Sequence, residues 1–98
     1  MEIKISTIHF EAGEKLVDYI QKKVSKLGKF SDEIRKVEVS LKVVKPETAM
    51  NKEAALRVAV PGTELFADKV CDTFEEAVDS CVETLTRQLT KYKEKKNH

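Results

Sequence analysis

The sequence has 98 residues, of which 41% are hydrophobic and 36% are charged, and its formal net charge is +1. This size and composition suit one small domain with a single core and argue against a second domain. No apolar run approaches the roughly 18 residues that span a bilayer, and the N-terminus lacks the apolar region of a signal peptide, so we expect a soluble, cytoplasmic protein. Because acids and bases nearly balance, any preference for a partner depends on how the charges are distributed.

The first third of the chain predicts a strand followed by a helix. Residues 2–8 alternate apolar and polar side chains, which indicates a strand with one buried face. From Glu14 the apolar residues change to helical spacing, so we predict a helix over residues 14–28. We expect Gly28 to close this helix, because glycine readily adopts the left-handed conformation found at helix ends.

Alternating patterns predict further strands over residues 34–45, 53–60 and 63–68. Pro46 ends the first of these, since proline has no N–H for the ladder. Residues 47–52 form a plausible hairpin loop, and the dipeptide Pro61-Gly62 marks a tight turn. The short connection at this turn favours antiparallel pairing of the last two strands.

The last predicted element is a helix over residues 73–94, with an apolar stripe that continues for more than four turns. Asp72 followed by Glu75 resembles a capping box, so we expect Asp72 to cap this helix. The predicted order is therefore β-α-β-β-β-α. We expect a two-layer α/β (α+β) sandwich, in which a four-stranded, mostly antiparallel sheet has two helices on one face and the other face open.

Basic residues gather on one side of each helix. On the first helix, at about 100° per residue, one side carries Lys15, Lys22, Lys26 and Lys29, with Asp18 at its margin and Lys23 to one side. On the last helix Arg87, Lys91 and Lys95 recur every fourth residue and form a ridge, with Lys93 and Lys96 nearby. Acidic residues instead dominate positions 63–84, where Lys69 is the one base.

Each basic set also has an ordinary structural explanation. Lysine is a good helix former on solvated faces, and bases favour helix C-termini through the helix dipole. If the two helices lie side by side on the sheet, the two sets merge into one electropositive surface. With no aromatic platform beyond Tyr19 and Tyr92, we expect such a surface to suit phosphate backbones better than stacked bases. The residues alone therefore indicate binding to structured RNA or, with less support, to DNA.

The sequence offers little for catalysis or metal binding. Cys71 and Cys81 do not form a CxxC pair, and both histidines, His9 and His98, lie far from them in sequence. We expect Cys81 to be a small buried core residue and assign no role to Cys71. No nucleophile paired with a base and no glycine-rich phosphate loop is evident, so we expect neither an enzyme nor a cofactor or metal site.

Several segments together resemble the ribosome hibernation factors, a family that includes protein Y, ribosome-associated inhibitor A and proteins once named sigma-54 modulators. The similar segments are KVSKLGKFSD from Lys23, VEVSLKVVK from Val37, DTFEEAVD from Asp72 and, most specifically, RQLTKYK from Arg87. Their order and spacing match the family over nearly the whole chain. Two departures are Phe74, where the family often has tyrosine, and Lys69, near a position that is often acidic.

The resemblance implies a bacterial protein of the stress and stationary-phase response. Such a protein binds the small ribosomal subunit in the channel for mRNA and tRNA and inhibits translation, and we expect it to be a monomer off the ribosome. Carried over by position, the implied rRNA contacts are Lys22, Lys23, Lys26, Lys29, Arg87, Lys91, Lys93 and Lys95, with lesser contributions from Lys42, Lys45 and Arg57. Because longer family members append a dimerisation domain, the chain resembles the short form, a single ribosome-binding domain over residues 1–98.

Two alternatives remain at the level of sequence. One is a double-stranded-RNA-binding module, which shares an α-β-β-β-α arrangement and recognises duplex shape. The extra first strand and the RQLTKYK segment weigh against it. The other is a regulatory domain that binds proteins rather than RNA, as the sigma-54 name suggests.

Overall fold

A computed structural model of the protein describes residues 1–45 and 49–96, with the side chain of residue 96 left out. In chain order the strands and helices are β1 Glu2–Ile8, α1 Glu14–Ser25, β2 Lys36–Val43, β3 Lys52–Val60, β4 Thr63–Cys71 and α2 Phe74–Lys96. A short 3₁₀ turn, Lys26–Lys29, continues directly from α1. The order matches the predicted β-α-β-β-β-α. Pro46 and part of the predicted hairpin loop lie outside the described residues.

The four strands form one sheet in the order β1-β2-β3-β4. β1 lies at one edge and runs parallel to β2, whereas β2, β3 and β4 pair antiparallel. At the turn between β3 and β4, Val60 pairs with Thr63, and Gly62 has a φ of 85°. A positive φ at the second residue of a Pro-Gly turn is the geometry of a type II turn, which explains why glycine stands there.

Both helices cover the same face of the sheet and leave the other open. The side chains of Val37, Val39 and Leu41 are buried beneath them, whereas Glu38 and Lys42 face outward from the same strand. α2 packs mainly on β3 and β4, and α1 packs beside α2 toward β1. The core joins Ile20, Val24 and Leu27 from the first helical segment to the apolar stripe of α2. This arrangement positions the outward surfaces of α1 and α2 side by side.

The first helix ends differently from the prediction. The α-helix stops at Ser25 and tightens into the 3₁₀ turn, and Phe30 closes that turn with ordinary right-handed angles. Gly28 is not among the residues with positive φ, so the prediction that it provides a left-handed cap was wrong. The tighter turn replaces the glycine cap, because bonds between residues three apart satisfy the last carbonyl groups.

The predicted cap of α2 was displaced by one residue. The backbone N–H of Glu76 donates to Oγ1 of Thr73 at 3.1 Å, so Thr73, not Asp72, caps the helix. Asp72 instead accepts a hydrogen bond from the N–H of Met50 at 2.8 Å. Its carboxylate therefore ties the β2–β3 connection to the start of α2.

Among the described residues, no helix is long and apolar enough to cross a membrane.

Candidate nucleic-acid interface

Three lysines form the outer surface of the first helical segment. Lys22, Lys26 and Lys29 line one shallow depression together with Asp18, Gln21 and Ser25. In a 3₁₀ turn the side chains at positions i and i+3 eclipse each other. The turn Lys26–Lys29 therefore brings Lys29 directly in line with Lys26, whereas a continued α-helix would leave about 60° between them. The structure groups these predicted lysines on one face, and all three are exposed.

Lys23 points elsewhere and connects the two helices. Its Nζ lies 3.0 Å from Oδ1 of Asp79 on α2 and 5.7 Å from the centre of the Tyr19 ring. The hydrogen bond to Asp79 raises the pKa of Lys23 above its ordinary value of 10.5, and Coulombic interactions with Tyr19 and Asp79 add to the effect. The Lys23 side chain is therefore paired within the protein, whereas Lys22, Lys26 and Lys29 are exposed to solvent.

The two basic sets meet at a groove between α1 and α2. Lys26, already part of the outer lysine surface, also lines this groove, and Arg87 lines it from the other helix. The full lining is Lys23, Lys26, Phe30, Asp79, Val82, Glu83, Thr86 and Arg87. Since Lys26 belongs to both surfaces, the lysines of the first helical segment are continuous with Arg87, the first base of the ridge on α2. We call the surface formed by Lys22, Lys26, Lys29, Arg87, Lys91 and Lys95 the basic helical face.

The basic end of α2 is held firmly against the rest of the protein. Leu85 and Leu89 are fully buried, and the Tyr92 hydroxyl donates to the carbonyl of Pro61 at 2.9 Å. That hydroxyl also lies 3.3 Å from Oε2 of Glu33. One side of the helix is thus packed and hydrogen-bonded while Lys91 and Lys95 remain exposed on the other. The packed side therefore fixes the backbone that carries Lys91 and Lys95.

Lys93 differs from its basic neighbours. About 100° per residue separates successive side chains on a helix, so Lys93 points away from the Arg87 ridge and toward the first helical segment. Its Nζ donates to the backbone carbonyl of Phe30 at 2.6 Å. The structure therefore gives Lys93 a role in joining α2 to the end of the 3₁₀ turn.

The lower-ranked basic residues lie away from the helices. Lys42 and Arg57 belong to the open face of the sheet, and Arg57 pairs there with Glu64 at 3.2 Å. Lys45 follows the end of β2 and lines a depression with Lys42 and His9. The structure does not bring these three residues together with the basic helical face.

Phe30 is an aromatic residue of the groove that was not predicted as part of the site. Phe30 is 41% exposed and lines the groove beside Lys26 and Arg87. The aromatic residues considered from the sequence, Tyr19 and Tyr92, are instead half-buried and in contact with other groups. One sequence feature could have indicated that Phe30 belongs to the site: it comes immediately after the lysine stripe, at the start of the connection to β2.

Acidic residues confine the basic surface. Asp79 and Glu83 line the same groove toward the start of α2, and Asp79 is already paired with Lys23. The start of α2 itself carries Glu75 and Glu76, which favour the positive end of the helix dipole. Phosphate groups are therefore attracted to one end of the two-helix surface and repelled from the other.

Among the described residues, no cluster of His, Cys, Asp or Glu is suited to a metal ion.

The fold and this surface define a small α+β protein with a mixed sheet, two helices on one side and a basic helical face. The chain belongs to the family described as "Sigma 54 modulation protein / S30EA ribosomal protein", whose model matches residues 3–97. The match covers both helices and all of the sheet except Glu2, and so includes β1, which the α-β-β-β-α order of a double-stranded-RNA-binding module lacks.

Two similar curated proteins are both named ribosome hibernation promoting factor. The one from Pseudomonas putida is 35% identical over 95 residues, covering 97% of this chain and 89% of that protein. The one from Escherichia coli is 34% identical over 95 residues, covering 97% and 96%. Their names describe ribosome-associated factors rather than enzymes.

Solved structures share the fold. A ribosomal subunit interface protein from Coxiella burnetii superposes with a TM-score of 0.85 at 25% identity, covering 95% of this chain and 98% of that one. The N-terminal domain of Thermus thermophilus Protein Y gives a TM-score of 0.80 at 22% identity, covering 94% and 99%. The predicted fold class is confirmed, with a sheet that is mixed because β1 is parallel to β2.

Proposed function

We propose that this protein is a ribosome hibernation factor, which binds the small ribosomal subunit in the channel for mRNA and tRNA and thereby inhibits translation. Membership of the family and the names of the similar proteins from P. putida and E. coli support a ribosome-associated role. It acts in the cytoplasm, as a monomer when it is off the ribosome.

The observation that carries the proposal is the position of Lys26. It lies on the outer lysine surface of α1 and also in the groove that Arg87 lines from α2. Two helices that are separate in sequence thus offer one continuous array of cations. An array of this kind suits the phosphates of folded RNA, because each phosphate contact releases condensed counterions.

Exposure and internal hydrogen bonds support an order among the proposed contact residues. Lys22, Lys26 and Lys29 on the first helical segment and Arg87, Lys91 and Lys95 on α2 are exposed and point away from the core. Arg87 is suited to hold one phosphate with two donors, since its guanidinium is planar and forked; one of its nitrogens, Nη2, also donates a long 3.4 Å hydrogen bond to Oγ1 of Thr84. Lys23 and Lys93 already bond within the protein, so their contribution to RNA binding is smaller.

The mechanism is steric. The domain is elongated, measuring 49 × 23 × 18 Å, and α2 is a single helix of 23 residues along it. A rigid body of this shape, fixed in the channel by phosphate contacts, excludes mRNA and tRNA without any chemical step. Its packed core keeps it folded there, so inhibition requires only occupancy.

The experiment is a competition on purified bacterial small subunits. The protein should co-sediment with the subunits, and its binding should be lost when mRNA and initiator tRNA are bound first. It should also inhibit translation in a reconstituted system in proportion to occupancy. Binding that is unaffected by mRNA and tRNA would rule out the channel, and recovery of a protein partner after RNase treatment would favour the regulatory alternative.

A further inference from the structure

Phe30 is an aromatic ring that the core leaves exposed. Among the described residues two aromatic rings are exposed, Phe30 at 41% and Phe66 at 49%. By contrast, Phe10 and Phe74 stack on each other with centroids 4.7 Å apart, and Phe74 is buried in the core. Phe66 projects from the sheet, in register with Arg57 on the face opposite the helices. Phe30 alone of the two lies in the groove between the helices.

The backbone of Phe30 is fixed from both sides. Its N–H donates to the carbonyl of Leu27 at 3.0 Å, and its own carbonyl accepts a hydrogen bond from Nζ of Lys93 at 2.6 Å. Leu27 is fully buried, and Lys93 belongs to α2. The ring is therefore carried by a backbone that is held to the core and to the second helix. Such preorganisation reduces the entropy lost when a ligand contacts the ring.

Cations share the groove with this ring or adjoin it in the chain. Lys29 precedes it in the chain, and Lys26 and Arg87 line the same groove. Asp79 and Glu83 lie in the groove as well, but toward the start of α2, where Asp79 is paired with Lys23. A nucleic-acid backbone is thus favoured along Lys29, Lys26 and Arg87, the path on which Phe30 stands. An aromatic ring flanked by cations is the arrangement that binds an unstacked base together with its neighbouring phosphates.

We propose that Phe30 is a stacking platform for one unpaired nucleobase of the ribosomal RNA, whose adjacent phosphates contact Lys26, Lys29 and Arg87. This inference rests on the proposed function and adds a contact to the bases, whereas the basic helical face contacts only the backbone. It departs from the expectation that the surface has no aromatic platform beyond Tyr19 and Tyr92.

The first test separates an aromatic contact from simple apolar cover. Phe30→Leu keeps an apolar side chain without a ring, Phe30→Tyr keeps the ring, and Phe66→Leu is the matched control on the open sheet face. Affinity for purified small subunits is measured over a series of salt concentrations, with circular dichroism to verify folding. Phe30→Leu should bind about 5- to 100-fold more weakly with an unchanged salt slope, since base stacking involves no counterion release. Phe30→Tyr and Phe66→Leu should bind as the wild type does.

The second test detects the stacked base directly. The sequence contains no tryptophan, so Phe30→Trp and Phe66→Trp each create a protein with a single tryptophan. On addition of small subunits, the fluorescence of Phe30→Trp should be quenched by the stacked base, and that of Phe66→Trp should change little. If Phe30→Trp co-sediments with subunits without quenching, or Phe30→Leu binds as tightly as wild type, the platform is wrong while the proposed function stands. If none of the proteins, wild type included, binds subunits, the proposed function itself fails.

Discussion

Lys23 and Asp79 form an ion pair that joins the two helices, with Nζ of the lysine 3.0 Å from Oδ1 of the aspartate. The family resemblance implied that Lys23 contacts RNA, whereas in the structure its side chain pairs with α2. The hydrogen bond to Asp79 raises the pKa of Lys23 above 10.5, so the lysine stays charged further into alkaline solution than an isolated lysine does. Its contribution is lost only as the pH rises through that raised value. Lys22 and Lys23 are adjacent in sequence, but Lys22 lies on the outer surface while Lys23 pairs with the second helix.

This difference predicts unequal effects for neighbouring lysines. Lys26→Gln should weaken binding to small subunits and reduce the salt slope of log K by about one, because one phosphate contact is lost. Lys23→Gln removes the same charge but should leave the salt slope close to the wild-type value. Affinity measured between low and moderate salt provides the comparison. A larger effect from Lys23→Gln than from Lys26→Gln would contradict the assignment of Lys23 to the helix pair.

Tyr92 should contribute to stability and to the order of the basic helix end. Tyr92→Phe removes the hydroxyl that donates to the carbonyl of Pro61 and keeps the ring. Losing this hydrogen bond should cost about 1 kcal/mol, which corresponds to a fall in Tm of about 4–8 °C for a domain of this size. Hydrogen exchange should also become faster for the amides around Lys91 and Lys95. An unchanged Tm and unchanged exchange would show that Leu85 and Leu89 alone hold the helix end.

The glycines allow a matched pair of substitutions. Gly62 has a φ of 85°, and an added Cβ would meet nothing within 4 Å, so Gly62→Ala costs only backbone strain. That strain should destabilise the protein by about 1–2 kcal/mol. Gly28→Ala is the control, since its Cβ would make an ordinary 3.8 Å contact with Met1 at a position without positive φ. Gly28→Ala should be neutral or slightly stabilising in thermal unfolding. A loss of stability as large as that of Gly62→Ala would instead indicate that Gly28 adopts the left-handed conformation.

Cys81 should make stability depend on pH in alkaline solution. Burial raises the pKa of its thiol from 9.0 to about 12, with a smaller contribution from Asp68. The unfolded thiol ionises first, so this contribution is complete below pH 9.0 and is lost between pH 9.0 and about 12. The slope should approach about 1.4 kcal/mol per pH unit. Cys81→Ala, although less stable overall, should lack this part of the decline in denaturant titrations at several pH values.

Thiol reactivity provides a second measurement of the same burial. Cys71 is half-buried and Cys81 is buried, with its Sγ 3.5 Å from the carbonyl oxygen of Ala54. In the native protein an alkylating reagent should modify Cys71 first and reach Cys81 only on unfolding, because the thiolate is the reactive form. Rapid native modification of Cys81 would contradict the packed interior.

Periodicity predicted the fold well because burial of one face dictates it. The alternation of Val37, Val39 and Leu41 and the helical stripe that includes Leu85 and Leu89 each specify a single buried side. The ends of the helices were harder to predict than their buried faces. Asp72 and Thr73 are both good capping residues, and the hydrogen bond from Met50, which is distant in sequence, selects the role of Asp72.

The site could be predicted in part. Helical geometry places Lys22, Lys26 and Arg87 on outward faces, and the structure brings Lys26 and Arg87 to one groove. The engagement of Lys23 with Asp79 could not be predicted, since it depends on how two helices pack against each other. The exposure of Phe30 could not be predicted either, because the path of the connection after the helix determines whether an aromatic residue there is buried or exposed.

The most direct test of the basic helical face is a pair of double charge reversals. Arg87→Glu with Lys91→Glu changes the proposed face, and Lys4→Glu with Lys69→Glu makes the same change in net charge at exposed residues outside it. Co-sedimentation with purified small subunits at moderate salt is the measurement, after circular dichroism has verified that both variants fold. The first variant should lose binding and the second should retain most of it. If both variants sediment with the subunits as the wild type does, the basic helical face does not bind the ribosome.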